Sequence, residues 1–508
     1  MRRTFAVVAA LGAVCAAPVP AAASPTPAAP PATASAPAVA APPAMATAPY
    51  RGANTPAVQD DFNGDGHRDL AIGAPDAANG KVEGAGAVVV LYGSASGVSA
   101  GRRVVLTQAT AGIPGEPERN DRFGGSTATA DLDRDGYADL LVGVWDETVG
   151  SLRGRGAVTV VWGGPKGLAG GAGISPPSGH GEGHAPGCRF GMSLAAGDMT
   201  GDGAPEVGIA SNCGGADYTG PFTRTGRPAA VRRVPQLGTT RGVVMGDVNG
   251  DGRAERFWLP GPTSGDVRGP VRLDTGAQSL VPLDLADGYT GRIGDVDGDG
   301  YGDLVTGVPD DEYLSGEKGA AHRGGEIQVL YGSARGIPAT QRPKVFHQDS
   351  SGVPGGGENG DRFGFSLSVG DVNGDGYADV LTGAPAEAIG DRSAAGAATL
   401  LRGSAAGLTG AKSVAYNQDT VGVPGAAEAL DSFGESVHLT DLNKDGKAET
   451  VVGVPGENTD GCVWIARGAA GGPVADGSVN ICGKSAGVSV SGIQARFGAD
   501  VGGARTTF

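Results

Sequence analysis

The chain has 508 residues, of which 93 are glycine and only 5% are aromatic, and its formal net charge is −16 at pH 7. Glycine weakens helix interiors, so this composition excludes a mainly helical protein and favours many short strands joined by tight turns. The acidic charge argues against nucleic acid and anionic membranes as partners.

The N-terminus has the pattern of an export signal. Arg2 and Arg3 precede an apolar run from Phe5 to Ala17, and a small-residue cleavage site ends at Ala23. We therefore predict a signal peptide over residues 1–23, with the general and the twin-arginine export routes both open. Residues 24–57 are mostly alanine and proline and predict a linker with little to bury. No other run is apolar enough to span a membrane, so the predicted location is extracellular.

A nine-residue acidic motif recurs seven times after the linker. Each copy has Asp at position 1, Asp-Gly at positions 5 and 6, and Asp or Glu at position 9. Alternating oxygen donors followed by a glycine turn suit calcium, which takes about six to eight oxygen ligands. We predict ligands from the side chains of positions 1, 3, 5 and 9 and the backbone carbonyl of position 7. The predicted sets are Asp61, Asn63, Asp65, His67, Asp69; Asp131, Asp133, Asp135, Tyr137, Asp139; Asp198, Thr200, Asp202, Ala204, Glu206; Asp247, Asn249, Asp251, Arg253, Glu255; Asp295, Asp297, Asp299, Tyr301, Asp303; Asp371, Asn373, Asp375, Tyr377, Asp379; and Asp441, Asn443, Asp445, Lys447, Glu449.

The motif differs from an EF-hand, which needs Glu at position 12 and flanking helices. Position 12 carries no carboxylate in any copy, and a strand pattern follows each loop. The loops are therefore predicted to lie in β-hairpins and to bind up to seven calcium ions; the alternative is acidic Asx-turns without metal. Copies one, two, five and six fit best, since Thr200 and Glu206 weaken the third copy and Arg253 and Glu255 make the fourth atypical.

Two further motifs flank the acidic loops. Phe-Gly stands eight residues before four of them, beginning at Phe123, Phe190, Phe363 and Phe433, and Gly-Ala-Pro or a near variant follows, as at Gly73-Ala74-Pro75. This pattern resembles the FG-GAP repeat of the integrin α subunits and of many bacterial secreted proteins. The resemblance covers roughly residues 58–508 and implies an all-β fold, a seven-bladed β-propeller. Copies four and five lack Phe-Gly.

The two ends of the repeat array complement each other. The Asp61 loop has no Phe-Gly before it, whereas Phe497-Gly498 near the C-terminus has no acidic loop after it. We therefore predict that N- and C-terminal strands share one blade, which closes the ring and removes an exposed sheet edge.

Four cysteines remain beyond the predicted signal peptide. Export to an oxidising compartment favours disulfides, and four cysteines allow three pairings. Proximity in sequence favours Cys188 with Cys213 and Cys462 with Cys482, each pair joining neighbouring strands.

A third repeated element precedes three of the Phe-Gly pairs. Gln108, Gln348 and Gln418 each stand 15 residues before the phenylalanine, and a Pro-Gly turn and two acidic residues follow each glutamine. Two interpretations are open. The elements either pack one blade against the next or form a ligand-facing rim opposite the acidic loops, the face that binds ligand in integrins.

The sequence contains no recognised catalytic motif. Neither a Gly-x-Ser-x-Gly elbow nor a phosphate-binding glycine loop is present. We interpret the glycine-rich stretch from His180 to His184 as a solvated loop, because a metal-binding His pair at this spacing needs a helix. Trp145–Gly150 and Asp310–Gly325 are predicted to lie on the binding face.

The leading interpretation is a monomeric extracellular binding or adhesion module, held together by calcium, whose ligand is a protein or a carbohydrate. The alternative is a calcium-dependent carbohydrate-active enzyme, such as a polysaccharide lyase, or a lectin. Lys, Arg or His side chains converging at the mouth of the propeller would favour the enzyme.

Overall fold

The computed structural model describes residues 57–180, 187–234, 237, 239–260, 270–274, 276, 280–311 and 322–503. The strands of these residues, in chain order, are β1 (Leu70–Ala74), β2 (Ala87–Leu91), β3 (Arg103–Leu106), β4 (Phe123–Ala130), β5 (Asp139–Val144), β6 (Ala157–Val161), β7 (Gly171–Ile174), β8 (Ser193–Gly197), β9 (Glu206–Ser211), β10 (Gly214–Thr219), β11 (Ala230–Val234), β12 (Thr240–Gly246), β13 (Glu255–Pro260), β14 (Pro270–Asp274), β15 (Val281–Asp287), β16 (Thr290–Gly294), β17 (Asp303–Val308), β18 (Glu326–Leu330), β19 (Lys344–Phe346), β20 (Ser366–Gly370), β21 (Asp379–Ala384), β22 (Ala397–Arg402), β23 (Thr409–Tyr416), β24 (Val437–Thr440), β25 (Glu449–Val454), β26 (Cys462–Arg467), β27 (Val474–Cys482) and β28 (Asp500–Val501).

These strands form seven antiparallel sheets of four strands each. In blade order the sheets are β28-β1-β2-β3, β4-β5-β6-β7, β8-β9-β10-β11, β12-β13-β14-β15, β16-β17-β18-β19, β20-β21-β22-β23 and β24-β25-β26-β27. The predicted all-β, seven-bladed propeller is confirmed, and blades four and five are complete although their repeats lack Phe-Gly.

The second and third strands of the blades are almost entirely buried, except for β14 in blade four, so buried and exposed residues do not alternate along them. All six residues of β5 are buried, as are all five of β2. A strand buried on both faces needs apolar residues at every position, and here both faces of a blade pack against neighbouring blades. Val88 and Val90 of β2 and Leu140 and Val142 of β5 accordingly belong to one cluster between blades one and two.

The C-terminal strand completes the first blade, as predicted. In the pairing of β28 with β1, Val501 lies opposite Ile72 and Asp500 lies opposite Gly73. Phe497, just before β28, is 0% exposed and packs in a cluster with residues of β1 and of β26 in blade seven. The last blade and the first blade therefore share a continuous core.

The Phe-Gly and Gly-Ala-Pro motifs meet between neighbouring blades. The first glycine of Gly-Ala-Pro packs against the carbonyl oxygen of the Phe-Gly glycine in the next blade. At Gly383, for example, a Cβ atom would overlap the carbonyl oxygen of Gly434. A serine beside the motif donates to the same carbonyl, for example Ser366 Oγ to Gly434 at 2.7 Å. The last contact of the ring is Gly453 against Gly498, so the C-terminal Phe-Gly supplies the final junction.

Both predicted disulfides are present. Cys462 lies directly opposite Cys482 in the pairing of β26 with β27, so this bridge joins neighbouring strands as expected. Cys188 and Cys213 are also bonded, but they lie in the connections before β8 and after β9. The expectation that each bridge joins two strands is therefore wrong for the first pair.

Candidate calcium loops and the opposite face

The seven acidic loops lie at one end of the ring, which we call the loop face. Six of them join the first strand of a blade to the second, and the Asp61 loop leads into β1, the second strand of blade one. The connections between blades, which contain Gln108, Gln348 and Gln418, lie at the other end, which we call the rim face. The opposite placement of the two sets is as predicted.

Each loop is closed by the carboxylate at position 1. In the first loop Asp61 accepts hydrogen bonds from the backbone amides of Gly64 and Gly66, at 2.6 and 2.8 Å. The bond to the position 6 amide recurs in all seven loops at 2.7–3.0 Å. Position 6 is glycine because its φ is positive, +88° at Gly66, which other L-residues rarely adopt.

The residue at position 9 divides the loops into two groups. Where it is Asp, one carboxylate oxygen accepts a bond from a glycine amide in the turn after the third strand; these pairs are Asp69–Gly93, Asp139–Gly163, Asp303–Gly332 and Asp379–Gly403, at 2.8–3.1 Å. In the fourth and seventh loops position 9 is Glu, and its carboxylate accepts a hydrogen bond from the side-chain amide at position 3, which is Asn249 or Asn443. The first group comprises the four copies that best fit the sequence pattern.

Carboxylate oxygens converge most closely in the second and fifth loops. In the second loop, one oxygen from each of Asp131, Asp133 and Asp139 lies within 4.8 Å of the other two. The same holds in the fifth loop for Asp295, Asp297 and Asp299. Calcium–oxygen bonds of about 2.3–2.6 Å put two ligands of one ion at most about 5 Å apart. Moreover, Asp133 Oδ1 is buried and accepts no hydrogen bond from the residues that the structure describes. The donor sets of these two loops therefore fit a calcium ion.

Burial raises the pKa of several loop carboxyls. Together with the charges of neighbouring loop aspartates, it raises the pKa of Asp69 to about 8 and that of Asp303 to about 7. The pKa of Asp131 rises to about 6 for the same two reasons. Buried like charges at such short range are costly unless protons or cations neutralise them.

Arg224 and Arg402 donate to loop carboxylates, as Arg102 does to Asp65 at a longer 3.5 Å, and the sequence did not point to these contacts. Arg224, between β10 and β11, donates to Asp133 Oδ2 at 2.6 Å and also to Asp135, while Asp133 Oδ1 remains without a donor. Arg402 at the end of β22 donates to Asp379 Oδ2 at 3.0 Å. Neither residue belongs to a motif, because both reach the loop from a different strand pair.

The position 7 side chains pack along the loop face. The rings of Tyr301 and Tyr377 stand over the position 4 glycines of the preceding loops, Gly250 and Gly298. These side chains therefore contact neighbouring loops, and the role of the position 7 carbonyl as a ligand stays a prediction.

The glutamine elements connect adjacent blades, which supports the packing interpretation. Gln108 and Gln348 donate to Glu147 and Glu387 of the following blade at 2.8 and 2.6 Å, and Gln418 bonds Glu457 in the same way. The interpretation of these elements as a ligand-facing rim stays a prediction.

A pocket of about 1070 Å³ opens on the rim face between blades one and two. Four basic side chains line it, namely Lys81, Arg119, Arg153 and Arg189. Arg119 pairs with Glu83 at 2.6 Å and Arg189 with Asp146 at 3.2 Å. Lys81 and Arg153 are exposed, and because Glu83, Glu118 and Asp146 also line the pocket, its basic residues exceed its acidic ones by one.

A second cavity, of about 510 Å³, lies among the inner strands and is lined by Arg68, Arg292 and His438. Arg292 donates to the carbonyl of Gly503. Burial, reinforced by the two arginines, lowers the pKa of His438 to about 3, so the imidazole is neutral at physiological pH. Basic side chains thus converge near the ring axis.

The interpretation of residues 180–184 as a solvated loop is wrong for its first residue. His180 is 2% exposed, its Nε2 lies 2.9 Å from Ser211 Oγ, and its ring packs edge-on against Phe190. His184 lies outside the described residues, as do the predicted signal peptide, the linker up to residue 56 and residues 312–321 of the predicted rim loop. Within the described part of the chain, no helix has the length and apolar character needed to cross a membrane.

Comparison with known proteins identifies the repeats. The FG-GAP repeat family matches residues 54–91, 123–161, 288–322, 363–401 and 433–474, which fall in blades one, two, five, six and seven. Phosphatidylinositol-glycan-specific phospholipase D of Mus musculus is 32% identical over 151 residues, 30% of this chain and 17% of that protein. Integrin alpha-PS2 of Drosophila melanogaster is 30% identical over 171 residues, 32% of this chain and 11% of that protein. The chain thus spans less than a fifth of these curated relatives.

Among solved structures, an exotype rhamnogalacturonan lyase aligns over 79% of this chain and 70% of its own, with 15% identity and a TM-score of 0.38. The matched repeats lie in a closed ring of seven four-stranded blades, so this chain is an FG-GAP repeat protein with an integrin-α-like β-propeller.

Proposed function

We propose that the protein is a secreted, calcium-binding propeller that acts as an extracellular binding or adhesion module. The observation that carries the proposal is the division of the ring into two faces. All seven acidic loops lie on the loop face, which leaves the rim face with a basic pocket of about 1070 Å³ open to a ligand. The two disulfides and the FG-GAP relatives support an extracellular location.

Calcium would be held by the carboxylates and amide oxygens at positions 1, 3, 5 and 9, with a carbonyl from position 7. A bound ion supplies positive charge that offsets the repulsion among the carboxylates. The chain's own contacts support a structural role, because the position 9 aspartates already tie four of the loops to the turn after the third strand. The third and fourth loops offer the poorest donor sets.

The ligand is proposed to be an acidic group on a protein or a carbohydrate. Lys81 and Arg153 are exposed basic side chains of the pocket wall, and neither forms an ion pair with the residues that the structure describes. Opposite charge steers a ligand to such a surface and raises the rate of association.

The test is a binding array of acidic and neutral glycans, probed with the calcium-loaded protein and with the protein in chelator. We expect retention of acidic glycans that is lost in Lys81→Glu/Arg153→Glu. The matched control, Arg335→Glu/Arg467→Glu, makes the same charge change at exposed residues near the loop face and should retain binding. Equal binding by both double variants would contradict a ligand site in this pocket.

Polysaccharide cleavage is the second candidate, and the basic lining of the axial cavity favours it. Arg68, Arg292 and His438 line one cavity, and the imidazole is neutral at physiological pH. Incubation with acidic polysaccharides, followed by absorbance of unsaturated products, tests this candidate. Product formation that disappears in His438→Gln would support an enzyme, and no product in calcium would contradict one.

A further inference from the structure

A second kind of acidic cluster lies on the rim face, outside the nine-residue loops. One carboxylate oxygen each from Glu358, Asp361 and Glu387 lies within 4.8 Å of the other two. Glu358 and Asp361 belong to the connection that leads to Phe363 in blade six, and Glu387 follows β21 of the same blade. The cluster therefore sits where blade five meets blade six.

Gln348, which follows β19 of blade five, adds a buried amide to this cluster. Its side chain is 4% exposed, and its Nε2 donates to Glu387 Oε2 at 2.6 Å. Its carbonyl oxygen Oε1 is buried and accepts no hydrogen bond from any residue that the structure describes. Leaving a buried acceptor without a partner is unfavourable, so this oxygen is available to a bound cation.

The position of Gly324 shows where the unpartnered oxygen points. A Cβ built on Gly324 would stand 2.8 Å from the carbonyl oxygen of Glu358, 2.9 Å from Gln348 Oε1 and 3.0 Å from Asp361 Oδ2. Gln348 Oε1 and Asp361 Oδ2 therefore lie at most about 6 Å from each other, on the same side of the Gly324 backbone. The amide carbonyl faces the same space as the Asp361 carboxylate.

Three carboxyl groups share this space, so like charges lie close together when all three are ionised. Burial, together with the charges of Glu387 and Glu358, raises the pKa of Asp361 to about 7. Burial and Glu358 also raise the pKa of Glu387. The neighbouring Arg362 pairs with Asp310, at 3.7 Å.

We propose that this cluster is a calcium site, formed by the carboxylates of Glu358, Asp361 and Glu387 together with the Gln348 carbonyl oxygen. The donors are all oxygens, which suits calcium and disfavours zinc or copper. An ion here links blade five, through Gln348, to blade six. The site is independent of the nine-residue loops, which lie on the other face.

The same arrangement recurs at two other blade junctions. Gln108 and Gln418 are buried, each donates to a glutamate 39 residues later, and each keeps an unpartnered Oε1 among the described residues. Glu118 with Asp121, and Glu428 with Asp431, occupy the corresponding acidic positions. These junctions are the natural places for weaker copies of the site.

The direct test is a crystal of the full chain soaked in terbium chloride, with anomalous difference maps calculated for both faces. We expect a peak between Gln348 Oε1 and the carboxylates of Asp361 and Glu387. Peaks in the nine-residue loops with none in this cluster would overturn the proposal. A peak here with none in the loops would support it while contradicting the calcium part of the proposed function.

Calcium counting by native mass spectrometry gives a second, quantitative test. Gln348→Met removes the carbonyl oxygen at similar volume and Glu387→Gln removes one charge; each should bind one calcium fewer than the unaltered chain. Asp391→Asn removes the same charge from an exposed carboxyl after β21 and should leave the count unchanged. An unchanged count in both site variants would overturn the proposal.

Discussion

Replacement of Phe497 by alanine should break the junction that closes the ring. Phe497 is 0% exposed, and its cluster contains Ile72 of blade one and Val463 of blade seven. The carbonyl of the next residue, Gly498, accepts a bond from Ser436 Oγ at 2.6 Å and packs against Gly453. The side chain therefore supports both the last blade and the first.

The expected loss is large on the scale of the whole fold. A buried Phe→Ala substitution costs about 3–5 kcal/mol, because apolar burial is lost and a cavity remains. Folded domains have about 5–15 kcal/mol in total. Deletion of residues 494–508 should cost more, since it also removes β28 and leaves β1 with an unpaired edge that invites aggregation.

Urea and thermal unfolding in calcium, followed by circular dichroism with light scattering, measure both effects. Ile493→Ala is the matched control, because Ile493 belongs to the same segment but is 39% exposed; it should change stability by no more than about 0.5 kcal/mol. Deletion of residues 24–55 should also have little effect. If Phe497→Ala and the C-terminal deletion unfold like the intact protein, the shared blade does not close the ring.

Three further outcomes follow from the loops and the blade junctions. In millimolar calcium, Asp375→Ala should lower the free energy of unfolding by about 1 kcal/mol more than Asp202→Ala does. This is the stabilisation expected when the calcium concentration exceeds the Kd of a site by several-fold; equal midpoints in urea would contradict this. In chelator, stability should fall as pH rises from about 4 to 8. Burial raises the pKa of Asp69 to about 8, so the folded state holds a proton that the unfolded chain releases near pH 4. The midpoint of urea unfolding, measured against pH, should show this fall, and calcium should reduce it. Gly383→Ala should cost about 1–3 kcal/mol by overpacking, whereas Gly471→Ala, where a Cβ meets nothing within 4 Å, should not; equal thermal midpoints would refute the close approach of the blades.

Much of the fold could be predicted because it depends on local and repeated chemistry. The acidic loop, Phe-Gly and Gly-Ala-Pro recur in a fixed order, and each repeat supplies the strands of one blade. The unpaired Phe497-Gly498 at one end and the unpaired Asp61 loop at the other predicted how the ring closes. The disulfide pairs followed from proximity, because both closed loops are short in sequence.

The sequence alone determined that this chain forms strands, turns and acidic loops in a repeating order, since those features depend on residues a few positions apart. Only the tertiary structure decided what meets across a blade junction. It brought Arg224 to the second loop, buried His180 against Ser211, and set the Gln348 carbonyl among the carboxylates of the next blade. These contacts join residues on different strands or blades, so no local sequence pattern predicts them. They arise because the seven blades pack around one axis, and this packing fixes the distances between residues that are far apart along the chain.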